Sequence, residues 1–226
     1  MTTETERLSD IFADAFPFWN NLTDNEQRDM LRTSQHIKIN RGMNIHDGNE
    51  CTGVILVRSG SLRIYMLSDE GKDITLCRLF EGDICILSAS CAFSNITFDV
   101  FVDSEEESDC IIVGGCAFAA LSEKNEEVKI FALETALGFF SEVMWVMQQI
   151  LFMSLDRRLA IFLLDEIAKT GSDTVKLTHE QIAKYMGSAR EVVSRMIKYF
   201  VGEGLVTSSR GGITVIDKPR LRKLAG

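Results

Sequence analysis

The feature that most constrains this chain is a change of hydrophobic period near Glu126. From there Ile130, Leu133, Leu137, Phe140, Met144, Met147 and Leu151 step by 3, 4, 3, 4, 3 and 4 residues. Such a seam, held over about three heptads, is the pattern of a two-stranded coiled coil. More than 25 residues pass without proline, and only Gly138 weakens the run, so the predicted helix is longer than a typical globular one. A second apolar set, Phe131, Val143, Val146, Ile150 and Phe152, lies off the seam. One face would pair with a partner helix while another packs on the preceding domain. The alternative is a single helix buried within one chain.

Before Glu126 the period is that of strands. Val54 to Val57, Ser61 to Tyr65, Ile74 to Leu79 and Ile111 to Val113 are short apolar or alternating runs. Turn signals separate them: Arg41-Gly42, Asp47-Gly48-Asn49, Ser59-Gly60, Asp69-Glu70-Gly71 and Glu81-Gly82-Asp83. This spacing predicts an antiparallel sandwich or barrel. Residues 5–34 read as short helices, one opened by a capping box from Thr23 to Glu26.

The net charge of -9 is unevenly spread. Residues 156–226 hold 13 Lys and Arg against 8 Asp and Glu, whereas residues 1–155 hold 11 against 25. A segment at +5 behind a body at -14 suggests a nucleic-acid-binding module on an acidic carrier. The body would repel a phosphate backbone and leave only the basic end to engage it.

The basic segment contains the matching pattern. Ser154 opens a helix from Arg157 to Lys169, which Thr170-Gly171 ends. Thr178 and Gln181 form a capping box for a short helix with Ile182, Ala183 and Met186 inward. Gly187 supplies the tight turn. Ser188 and Glu191 predict a second capping box, opening a helix that ends at Gly202. Its buried stripe would be Val192, Val193, Met196 and Ile197, leaving Arg190, Glu191, Ser194, Arg195 and Lys198 to project with Ser188 at the turn. Leu205 to Thr207, Arg210-Gly211-Gly212 and Ile213 to Ile216 then read as a hairpin. Together these make a winged helix-turn-helix. Arg can donate two bonds to guanine O6 and N7, and Glu can accept from cytosine N4. The plainer reading is that Glu191 completes a cap and Arg195 touches only phosphate.

Arg190-Glu191-Val192-Val193-Ser194-Arg195, with Gln181-Ile182-Ala183 before it and Gly204-Leu205-Val206 after, resembles the DNA-binding domain of the cyclic-AMP receptor protein/FNR superfamily of bacterial transcription regulators. The resemblance covers nearly the whole chain. It implies an α+β fold: a double-stranded β-helix (jelly-roll, cyclic-nucleotide-binding-like) sensor over 1–125, a dimerisation helix over 126–154 and a winged helix over 155–226. Arg190, Glu191 and Arg195 match base-contacting positions of the cyclic-AMP receptor protein, and Glu191, Ser194 and Arg195 match the reading trio of the FNR branch. The implied partners are a second copy of the chain, a palindromic operator of double-stranded DNA with TGA-like half-sites, and RNA polymerase, touched through loops such as Ser68-Asp69-Glu70.

The resemblance breaks at the nucleotide pocket. Glu81 to Leu87 matches the superfamily's Gly-Glu turn, yet no Lys or Arg occurs between Arg78 and Lys124. A desolvated phosphate there would lack a charge-assisted partner. Cyclic AMP is therefore not expected to be the effector, and no other cofactor is specified. The six cysteines lack both an N-terminal cluster and a Cys-x2-Cys spacing, so no metal site is expected. They read either as reduced, buried small hydrophobes or as a redox switch, with Cys85 and Cys91 the candidate pair. Nothing in the spacing selects a haem ligand from His36 or His46.

No catalytic arrangement of Ser, His, Asp or Cys is present, which argues against an enzyme. The polar, acidic start shows no export-signal pattern, so a cytoplasmic protein is expected. No stretch approaches roughly 18 charge-free apolar residues. The longest candidate, 139–155, contains Ser141, Glu142, Gln148 and Gln149, so no membrane partner is expected. The leading expectation is a homodimeric regulator controlled by an effector or redox signal at the β-roll. The alternative is a ligand-independent regulator whose β-roll only supports dimerisation and polymerase contact.

Overall fold

A computed structural model describes residues 3–48, 51–89 and 99–226, with side chains from residue 6 onward. The chain divides into two compact units, Met1–Gly71 with Leu76–Val143 and Lys72–Thr75 with Met144–Gly226.

The first unit is built on turns that only short polar residues and glycine tolerate. Among the described residues it holds two four-stranded antiparallel sheets, with strand orders β1-β8-β3-β6 and β2-β7-β4-β5. The first sheet comprises β1 (Ser34–Ile39), β3 (Val54–Ser59), β6 (Ile84–Cys85) and β8 (Ser108–Val113), and the second β2 (Asn44–His46), β4 (Leu62–Leu67), β5 (Asp73–Leu79) and β7 (Phe101–Ser104). The central strand β8 pairs Cys110 with Ile37 on one side and with Val57 on the other. Val54 to Val57 are all buried, as a strand packed on both faces requires. This is the sheet-rich sandwich that the turn spacing predicted.

Helices α1 (Thr3–Ala15), α2 (Asp24–Arg32) and α3 (Gly115–Lys124) complete the unit. The predicted Thr23–Glu26 capping box is present at α2. An aromatic cluster fixes the N-terminal helices: Phe12 meets Phe16 and Trp19 edge-on, and Phe16 and Phe18 both meet Phe131, with ring centroids 5.2 to 5.8 Å apart.

Phe131 belongs to α4 (Glu126–Phe152), a single helix of 27 residues. Its Val128, Ala132 and Phe139 are buried, and the off-seam residues Phe131 and Val143 pack against the same core. The seam itself does not. Ile130, Leu133, Leu137, Phe140, Met144, Met147 and Leu151 are each 45 to 65% exposed. By length and composition α4 suffices to cross a membrane, with a window of mean hydropathy 1.5, because isolated charges such as Glu142 do not lower the average enough.

The second unit contains α5 (Leu155–Thr170), α6 (His179–Tyr185), α7 (Arg190–Gly202), α8 (Lys218–Ala225) and a three-stranded sheet ordered β10-β11-β9. Strands β10 (Val206–Ser209) and β11 (Gly212–Val215) form the predicted hairpin, and β9 (Thr174–Val175) pairs with β11. Its core includes Leu159, Leu163, Ile182, Val193, Ile197, Phe200, Ile213 and Leu221.

Candidate nucleic-acid interface

Three local devices set the pose of α7. Thr178 and Gln181 form the reciprocal capping box that starts α6. Gly187, at φ +57°, closes α6 in a left-handed turn: Gly187 N–H donates to Lys184 O at 3.2 Å and Ser188 N–H to Ala183 O at 2.9 Å. This pair of bonds is a Schellman motif. Gly204 closes α7 the same way, through Gly204 N–H to Val201 O and Leu205 N–H to Phe200 O. Arginines finish both ends, Arg158 donating to Met186 O and Arg220 to Glu203 O. Cations are favoured at helix C-termini, where carbonyls lack partners.

The expected Ser188–Glu191 capping box does not form. Ser188 is spent in closing α6, and the N-cap position falls to Ala189, which offers no side-chain acceptor. The first N–H groups of α7 are left without a cap.

The inward face of α7 is Val193, Ile197 and Phe200, with Val192 and Met196 half-buried at its margin. Phe200 therefore takes a place the sequence reading gave to those two. Arg190, Glu191, Arg195 and Lys198 are exposed, while Ser188 and Ser194 are half-buried. Residues 190/191, 194/195 and 198 follow one another by helical turns, so they share one face. The Ser194 hydroxyl sits 2.8 Å from His179 Nδ1, tied to α6 rather than free. Arg190, Arg195 and Lys198 enter no ion pair among the described residues.

A polar cleft of about 420 Å³ lies between the start of α6 and the β10–β11 hairpin. Lys176 and Arg210 flank it, and His179, Ser208 and Ser209 line it. Sequence reasoning named Arg210 only as a turn residue and missed Lys176. The sign available was a cation just before a cap and another at a hairpin tip. Conversely, several bases that made this segment positive are used inside the unit: Lys218 pairs with Asp173 at 2.5 Å, and Arg157 donates to Ala225 O at 2.9 Å. What remains is a helix face bearing Arg190, Arg195 and Lys198 with Glu191, together with Arg210 at the hairpin tip and Lys176 before α6.

The first unit offers less. Cys85 is fully buried and hydrogen-bonded by Ser88, and burial pushes its thiol up, disfavouring the reactive thiolate. Its candidate partner Cys91 lies outside the described residues. Cys77 is raised by burial and then by the negative charge of Glu142 of α4. Burial pushes Cys110 up to about 11. Contrary to the expectation of reduced thiols throughout, Cys51 is disulfide-bonded, whereas Cys77, Cys85, Cys110 and Cys116 are free. Among the described residues no three His, Cys, Asp or Glu side chains converge as metal ligands.

Residues 157–224 match the family model of a Crp-like helix-turn-helix domain. The chain is 22% identical over 226 residues to the probable transcriptional regulator flp of Lacticaseibacillus casei, covering 92% of this chain and 95% of that protein. It is 25% identical over 190 residues to the transcriptional activator protein anr of Pseudomonas aeruginosa, covering 79% and 75%. A solved structure from Eubacterium rectale, assigned to the crp/fnr family of transcriptional regulators, superposes with a TM-score of 0.88 at 43% identity over 94% of this chain and 99% of that one. The chain belongs to the Crp/Fnr family of DNA-binding transcriptional regulators.

Proposed function

We propose that the protein acts in the cytoplasm as a homodimer, not as an enzyme, and reads an inverted-repeat operator with Arg190, Glu191, Ser194, Arg195 and Lys198. The observation that carries this reading is the exposed seam of α4. Seven large apolar side chains on one stripe, none less than 45% exposed, form a surface that a second helix of the same sequence would cover. The 3–4 spacing of the seam suits a partner helix, and Trp145, Ile150 and Phe152, 44, 38 and 80% exposed off that seam, widen the apolar surface at the C-terminal half of α4. Half-sites one helical turn apart, about 34 Å, would then face the two copies of α7.

The signal acts on the first unit. Cys77 of β5 lies close enough to Glu142 of α4 for the carboxylate to raise its thiol, so rearrangement of that sheet would be felt at the helix that carries the seam. Cyclic AMP does not fit as the effector, because the stretch between Arg78 and Lys124 has no cation to meet its phosphate. RNA polymerase contacts would come from the exposed Ser68-Asp69-Glu70 loop. The burial of Cys85 favours a packing role over redox chemistry.

A gel shift on an inverted-repeat probe at two salt concentrations, with the mass in solution measured by light scattering, tests the reading. Binding by a dimer, weakening steeply with salt, is expected. A monomer on the duplex, or affinity indifferent to salt, overturns it. Affinity unchanged across candidate effectors would favour the ligand-independent alternative.

A further inference from the structure

Residues 1–155 carry only 11 Lys and Arg against 25 Asp and Glu, yet four of those cations converge on one cavity. Arg7 of α1, Arg28 and Arg32 of α2, and Arg58 at the end of β3 line a hollow of about 720 Å³. That volume is the size of a small-molecule site. The cavity is bounded by residues of α1, α2 and strands β1, β3 and β8.

The charge here is not neutralised from within. Arg7, Arg28 and Arg58 make no ion pair or hydrogen bond among the described residues, and Arg32 reaches only the exposed Asp29, at 3.4 Å. The one acidic residue in the lining, Asp109, is already engaged by His36 at 2.5 Å. Four guanidinium groups around a shared hollow repel one another, and an anion bound among them would turn that repulsion into attraction. Arginine presents a planar fork that matches phosphate and carboxylate oxygens bidentately. The rest of the wall is apolar: Leu8, Ile11, Leu31 and Ile111.

We infer that this cavity binds a small organic polyanion, a phosphate ester or polycarboxylate bearing an apolar moiety, which clamps α1 and α2 to the sheet. A nucleic acid fits poorly, since the surrounding unit is strongly acidic and the site is a bounded hollow rather than a track. The inference needs neither dimerisation nor DNA binding, so it stands or falls apart from the function proposed above.

The test is calorimetric titration of the full-length protein with inorganic pyrophosphate, citrate and phenyl phosphate, with melting curves beside it. Submillimolar binding of at least one probe and a raised Tm are expected. Pyrophosphate or phenyl phosphate binding alone would assign a phosphate ligand, and citrate alone a carboxylate. R28E and R58E should each weaken binding at least tenfold, whereas K38E, on the same sheet but outside the cavity, should not. L8N should weaken phenyl phosphate more than pyrophosphate. Arg7 and Arg28 are exposed, so R7E and R28E test the site even should R58E misfold. No binding of any probe, or equal loss in K38E, would overturn the inference.

Discussion

His179 Nδ1 lies 2.8 Å from the Ser194 hydroxyl, so α6 holds a side chain on the polar face of α7. A buried or half-buried hydrogen bond contributes about 0.5–1.5 kcal/mol net. H179A and S194A should therefore each lower the unfolding free energy by about 1 kcal/mol, and the double variant by little more than either alone. Urea titrations analysed as a double-mutant cycle measure this; strictly additive losses would show that the two side chains act independently.

Arg195 is exposed and enters no ion pair, leaving both edges of its guanidinium free for a base. R195A should cost about 1–3 kcal/mol of operator affinity, roughly 5- to 150-fold, and relax preference at one base pair per half-site. K198A should instead weaken all sequences alike and flatten the salt dependence. Binding to a panel of single-base operator variants distinguishes the two outcomes.

Leu137 is 65% exposed on the α4 seam. L137E should abolish the dimer in sedimentation at micromolar concentration and reduce operator binding more than tenfold, while the far-ultraviolet circular dichroism of the protomer stays unchanged. An intact dimer would place the partner surface elsewhere.

His46 is 3% exposed, with Nδ1 2.9 Å from the Thr52 hydroxyl. Burial lowers its pKa below the ordinary 6.5, against the weaker opposing pull of Asp47 and Asp99. The folded state thus resists protonation: the stabilising contribution is complete above about pH 6.5 and is lost as pH falls through the lower folded value. Urea midpoints should decline from pH 7.5 to 5.5, and H46Q should flatten that decline. An unchanged slope in H46Q would assign the decline to other groups.

Two glycines should respond differently to alanine. At Gly187 the φ of +57° is strained for a side chain, but the nearest atom to an added Cβ is 3.7 Å away, so G187A should cost about 1–2 kcal/mol. At Gly212, with φ +129°, the Cβ would overlap the carbonyl oxygen of Val175. G212A should cost more than about 3 kcal/mol and loosen the hairpin. Thermal melts of the pair rank them.

Much of this was legible in the chain because the strongest signals are local. The seam residues advertise themselves by 3–4 spacing, and Thr178–Gln181 with Gly187 mark the start and end of α6. The Ser188 box was misread because Ser-x-x-Glu implies a cap only when the serine backbone is not already closing the preceding helix. Helix α8 was missed although Asp217 caps it and Pro219 sits in its first turn, the expected opening for proline. Strand β9 was missed because two residues carry no period, and its register comes from Thr214 and Ile213, far along the chain. The cationic cavity was invisible for a similar reason: residues from Arg7 to Ile111 meet there through five elements.

The absent cap on α7 has a consequence for how the protein meets its target. Amides at the head of a helix fray when nothing accepts their hydrogens, and the positive end of the helix dipole points the same way. On the reading proposed above, a backbone oxygen of the duplex would supply the missing acceptor and complete the opening turn, so α7 would be finished by the DNA it meets. Hydrogen exchange at Arg190 and Glu191 should then slow on the specific site far more than exchange at Ile197, already locked in the interior.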